Sequence, residues 1–137
     1  MKYAVAVHKE TDSCYGVTVP DIEGCFSAGD TLDEALANSH QAINAHLECL
    51  ADEGTLPPIA KPIDDYLANE DYLNVIWCYI DVDTSAFLGK TEKATVTLPA
   101  LLINRIDDLV NEGTIKSRSA FLAESATKQL SSLSNMP

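Results

Sequence analysis

The chain has 137 residues, 46% of them hydrophobic, and a formal net charge of -12. That apolar content suffices for a packed core and excludes a wholly disordered chain, while no window approaches the ~18 consecutive apolar residues of a membrane helix. The N-terminal run Met1–Lys9 alternates and lacks a signal peptide's long apolar stretch and cleavage site, so a cytoplasmic location is expected.

Tyr3, Val5 and Val7 alternate with Ala4, Ala6 and His8, the period of a half-buried strand. After the polar turn Glu10-Thr11-Asp12-Ser13, Tyr15, Val17 and Val19 alternate again, which predicts a β-hairpin. Pro20-Asp21-Ile22-Glu23-Gly24 breaks the pattern. Cys25-Phe26-Ser27-Ala28 then predicts a short third strand ending at Gly29-Asp30. Thr31 and Glu34 form a capping box, in which side chains satisfy amides that the first helical turn leaves unpaired. Leu32, Leu36, Ile43, Leu47 and Leu50 fall on one helical face, and His40 lies on the same stripe as a packed or boundary histidine. His46 lies far around the helix from it, so the two cannot form an i, i+4 ligand pair. Gly54 stops the helix and Pro57-Pro58 forbids its continuation.

Residues 55–71 read as loop, with a short turn near Asp64-Asp65-Tyr66-Leu67. Tyr72–Val82 is rich in β-branched and aromatic residues, and its nearly continuous apolarity predicts an interior strand covered on both faces, with Trp77 in the core. The order is β-β-β-α-β, an α+β unit over residues 1–84. Cys14, Cys25, Cys49 and Cys78 are scattered without a C-x-x-C pair, so reduced and mostly buried thiols are expected, and neither a metal site nor a cofactor.

Residues 85–91 read as a linker, and a second unit spans residues 92–137. Lys93-Ala94-Thr95-Val96-Thr97-Leu98 alternates as a strand that Pro99 ends. Leu102, Ile106, Leu109 and Val110 mark a helix stopped by Gly113. Ser117 caps another helix, lined by Leu122, Ala126, Leu130 and Leu133. A lone strand leaves both hydrogen-bonding edges open, and a core this small is marginal alone. Two copies pairing their strands into an antiparallel ribbon over four helices solve both problems, so the unit predicts its own homodimer or a higher oligomer. Ala94, Val96 and Leu98 then face the helices, and Lys93, Thr95 and Thr97 face outward. A two-stranded ribbon fits the DNA major groove, where lysine donates to guanine and threonine offers a hydroxyl and a methyl group to bases. The helix start at Ser117, Arg118 and Ser119 combines free amides, two hydroxyls and a guanidinium, a set suited to a backbone phosphate.

Charge divides in the same place. Residues 1–89 hold three lysines against sixteen acids, net -13, and residues 90–137 hold six bases against five acids, net +1. Such asymmetry points to two partners of opposite charge.

Lys93-Ala94-Thr95-Val96-Thr97-Leu98-Pro99, with Gly113 and Ser117-Arg118-Ser119-Ala120-Phe121-Leu122, resembles the strand, turn and second helix of the ribbon-helix-helix family. Tyr15-Gly16-Val17-Thr18-Val19-Pro20-Asp21, then Gly24-Cys25, then Gly29-Asp30-Thr31-Leu32-Asp33-Glu34-Ala35, resembles the HicB antitoxin family from about residue 2 to 82, although Glu23 stands where members often carry proline. This resemblance implies a truncated ribonuclease H-like first domain that neutralises a small HicA-type, mRNA-cleaving toxin. The toxin would contact residues within 1–84. It further implies repression of the chain's own operon through operator DNA. A basic RNA-binding toxin suits the -13 body. Two other readings exist. One is a ribbon-helix-helix regulator whose first domain senses a ligand or another protein, with no toxin. The other is a metal-dependent nuclease using Asp12, Asp30, Asp81 and Asp83, but each of these has an ordinary turn, cap or strand-end explanation, and the chain is expected not to be an enzyme.

Overall fold

The structure is a computed structural model that describes residues 1–134. It divides into two compact units, Met1–Gly89 and Lys90–Pro137. The first holds strands β1 (Lys2–Lys9), β2 (Tyr15–Thr18) and β3 (Phe26–Gly29), helix α1 (Leu32–Asp52) and strand β4 (Ile76–Asp81). The sheet order is β3-β2-β1-β4, every neighbouring pair antiparallel.

β1 sits inside the sheet and is buried on both faces. Tyr3, Val5 and Val7 form one core with Val17, Ile80 and the α1 residues Ala35, Ile43 and Leu47. Each fully buried Val, Ile or Leu contributes roughly 1.5–3 kcal/mol, so this layer fixes the unit. On the opposite face Ala4 and Ala6 are also buried. Ala6 is in register with Trp77, whose ring stacks on Tyr66 at 5.9 Å and meets Tyr72 edge-on at 5.5 Å.

That aromatic group corrects the reading of Tyr72–Val82 as an interior strand. β4 is an edge strand of six residues, and Glu70–Tyr72 form a 3-10 turn instead. Its continuous apolarity arises because one face meets the core and the other carries an aromatic cluster closed by Tyr66 from the preceding loop. Trp77 is accordingly half-buried rather than enclosed.

Thr31 caps α1 as expected, its Oγ1 accepting from Glu34 N at 3.1 Å. His40 does not lie on the buried stripe; it is exposed and contacts Asn44 at 3.1 Å. Ser39 takes the buried place, made tolerable because its hydroxyl donates to Ala35 O at 2.7 Å. Of the four cysteines only Cys25 is buried; Cys14 and Cys49 are exposed and Cys78 is intermediate, because a turn and the outer face of a helix carry two of them. The expectation of mostly buried thiols therefore fails.

The stretch 85–91 is not uniformly linker. Thr84–Phe87 form a 3-10 turn capped by Asp83, and Phe87 packs against the first unit's core.

The second unit holds helices α2 (Ala100–Asn111) and α3 (Arg118–Ser134). Gly113 takes φ +79, and two backbone bonds, Gly113 N to Val110 O and Thr114 N to Leu109 O, close the end of α2. Only glycine adopts that conformation without strain, which is why the helix stops there. Residues 91–99 have no regular secondary structure in the single chain, so the expected strand Lys93–Leu98 is not a strand here. The reason is physical: a strand exists by its partner, and one copy supplies none.

Gly29 makes the closest approach to backbone in the first unit. A Cβ built on it would lie 2.4 Å from the Ala35 amide nitrogen, against helix backbone that cannot move aside. Gly29→Ala is expected to destabilise the unit by roughly 1–3 kcal/mol in urea unfolding, whereas Gly24→Ala, whose Cβ would meet nothing within 4 Å, is expected to suffer only from its φ of +77.

Candidate functional site

Lys93, Thr95 and Thr97 are all exposed, and the alternate positions Ala94 and Val96 are exposed as well. Val96 is 61% exposed and Leu101, in the first turn of α2, is 79% exposed. Ile106, at 2%, is the one buried apolar side chain of this unit among the described residues. A unit of this size with one buried anchor lacks the core it needs. The apolar side chains that would supply it lie along the segment 94–102, beside the three residues expected to meet bases.

Ser117 Oγ accepts from Ala120 N at 3.0 Å and so caps α3, keeping the helix start in place. Ser119 is exposed. Arg118 has a partner that the sequence did not disclose. Its Nε and Nη2 donate to Asp107 Oδ1 at 3.1 and 3.0 Å, and Nη2 to Oδ2 at 2.8 Å. This is a fork-to-fork ion pair from α3 to α2. The bond to the Asp107 carboxylate, and its charge, strengthen the hold of Arg118 on its proton. Eleven residues separate the two, so no local helical spacing could have revealed the pair.

In the first unit, Asp21 fastens the long loop to the sheet. Its Oδ2 accepts from Lys61 N at 3.0 Å, and its Oδ1 accepts from the Tyr66 hydroxyl. Tyr3 OH donates to Pro58 O at 2.7 Å. Burial, and then Asp21, push the Tyr66 and Tyr3 hydroxyls above the ordinary tyrosine range, so both stay neutral donors. Asp21 stood in a turn-forming stretch, where aspartate has a commonplace explanation, and nothing there pointed to a partner 45 residues away.

The four aspartates of the nuclease reading take separate places. Asp12 has φ +64 in the β1–β2 turn, Asp30 precedes the α1 cap, Asp81 meets the N-terminal ammonium at 3.4 Å, and Asp83 accepts from Ser85 N and Oγ. Among the described residues no group of three or more His, Cys, Asp or Glu is placed to hold a metal ion. Nor is any described helix long and apolar enough to cross a membrane.

Residues 3–126 match the family described as the HicB-like antitoxin of bacterial toxin–antitoxin systems. A 14.9 kDa uncharacterised protein from the rep-hol intergenic region of Haemophilus phage HP1 is 41% identical over 131 residues, which is 95% of this chain and 98% of that one. The crystal structure of the Burkholderia pseudomallei antitoxin HicB superposes with a TM-score of 0.75 at 36% identity, covering 95% of this chain and 98% of that one. A chain from a HicA3 and HicB3 toxin–antitoxin complex matches 61% of this chain and 99% of its own length, at 28% identity and a TM-score of 0.51.

The ion pair predicts a thermodynamic coupling. Asp107→Ala and Arg118→Ala should each lower the unfolding midpoint slightly, and the double variant should be no less stable than the worse single one. A double-mutant cycle by urea unfolding measures this; strictly additive losses would show that the two groups act independently.

Proposed function

The chain belongs to the HicB-like antitoxin family, and on that premise we propose that it neutralises a HicA-type, mRNA-cleaving toxin with its first unit and represses its own operon with its second. The observation that carries the reading is the partition of charge and apolar surface between two units. The first unit has net charge -13 and its own closed core. It is built to persist alone and to attract a cationic protein. The chain matched from the toxin–antitoxin complex has nearly the extent of this unit, 61% of the sequence, which supports placing the toxin contact there, within residues 1–84. The β-β-β-α-β order around a central β1 supports a truncated ribonuclease H-like fold.

The second unit has net charge +1 and exposes Val96 and Leu101. A second copy pairs with Lys93–Leu98, forming the ribbon of a ribbon-helix-helix dimer and covering Val96 against the helices. Lys93, Thr95 and Thr97 then point into the major groove and read base edges. Ser117, Ser119 and the first amides of α3 hold a phosphate oxygen. Arg118 joins them without leaving Asp107: the pair uses Nε and Nη2, and Nη1 carries two further donors. Asp107 thus orients the guanidinium for a phosphate. Because the two activities sit in separate units, toxin occupancy can bias repression only through linkage between them. A cytoplasmic location fits both partners.

Thr95→Ala with Thr97→Ala should abolish specific operator binding, measured by fluorescence anisotropy, and leave toxin neutralisation intact; retained operator affinity would assign the base contacts to another face. Arg118→Ala should weaken binding to all DNA sequences and reduce the slope of log K against log salt by about one. An unchanged slope would remove Arg118 from the phosphate contacts.

A further inference from the structure

A sheet edge is normally guarded. Proteins shorten it, bend it with a bulge, or place lysine or proline on it, because open N–H and C=O groups recruit strands from other chains. β3, at one end of this sheet, is short, with four residues. β4, at the other end, is not guarded. It pairs with β1 along six register positions and, among the described residues, has no sheet neighbour on its outer side. Its sequence, Ile76-Trp77-Cys78-Tyr79-Ile80-Asp81, contains no lysine, arginine or proline. Ile76 and Tyr79 are 52% and 50% exposed, and Leu73 just before the strand is 62% exposed. Exposed carboxylates flank this apolar edge: Glu70 and Asp71 ahead of it, Asp81 and Asp83 at its far end.

The charge decides what can lie there. A second copy would bring two units of net charge -13 together, with these four carboxylates opposing their counterparts. A basic chain meets the opposite field, with an apolar contact on each face of the strand, Ile76 on one and Tyr79 on the other, and backbone bonds for its amides. Resting on the antitoxin reading above, we propose that the toxin docks on the outer edge of β4 through an extended segment of its own. That segment adds a fifth strand to the sheet, with apolar side chains against Leu73, Ile76 and Tyr79 and basic ones toward Glu70, Asp71, Asp81 and Asp83.

The test uses the full chain and a HicA-type toxin protein, purified separately. Binding is measured by calorimetry, and hydrogen exchange is measured with and without the partner. Leu73→Lys with Ile76→Lys should weaken binding at least about 100-fold, by opposing like charges and removing two apolar contacts. Phe26→Lys on the β3 edge should leave it unchanged. In the unsubstituted chain, the alternate β4 amides that point away from β1 should slow on complex formation, a readout that does not depend on the variants folding. If the partner binds and those amides keep their rates, the edge proposal is overturned while the antitoxin reading stands. If they are slow already without partner and speed up on dilution, a second copy occupies the edge and the proposal is likewise overturned. If the unsubstituted chain does not bind the partner, the antitoxin reading fails and takes this proposal with it.

Discussion

A β-strand has two hydrogen-bonding edges, and both units of this chain are shaped by how those edges are closed. β1 has both edges paired, to β2 and β4, and both faces buried, so it anchors the first unit. α1 covers one face through Ile43 and Leu47, and the Tyr66–Tyr72–Trp77 group lies at the other. The segment Lys93–Leu98 is the opposite case, with no strand beside it in a single chain and its apolar residue Val96 in the open. Backbone groups left without partners are costly once buried, and in the proposed ribbon the pairing of two copies would supply them. In the first unit the core is closed within one copy; in the second, Ile106 is the one buried apolar side chain among the described residues.

This difference separates the two proposed activities. The first unit can carry a dense negative charge because its core, with Tyr3, Val5, Val17 and Leu47 fully enclosed, does not rely on its surface. A unit proposed to approach DNA cannot be so acidic. Asp107 in α2 shows how an acid is accommodated there: its carboxylate is taken up by Arg118, at the start of α3 beside the cap Ser117. The pair ties the helices together, and in the proposed DNA complex it would also orient the guanidinium.

Much of the fold was legible because its signals are local. Thr31 and Ser117 cap helices by bonds spanning three residues, Gly113 ends α2 within one turn, and the β1–β2 hairpin is written in alternation. What misled were features set by distant partners. β4 looked interior because Tyr66, eleven residues earlier, supplies part of its aromatic cover. Phe87 looked like linker because the core it touches lies elsewhere in the sequence. His40 fell on the apolar stripe by spacing, yet the helix is turned so that Ser39 faces inward and keeps its hydroxyl bonded to its own backbone. Asp107 with Arg118, and Asp21 with Tyr66, are ties across 11 and 45 positions, beyond any pattern a single sequence displays. Lys93, Thr95 and Thr97, proposed to face bases, were read from alternation alone, and a single chain places them on the surface without the ribbon that would aim them.

The central claim is that the two units are completed by different partners, a second copy for one and a basic toxin for the other. Native mass spectrometry of the full chain, co-expressed with a HicA-type toxin, tests this most directly. The account predicts an even number of copies of this chain with toxin bound, and retention of that even number when the toxin is stripped away. A single copy bound to one toxin, or pairing that disappears when the toxin is removed, would contradict it.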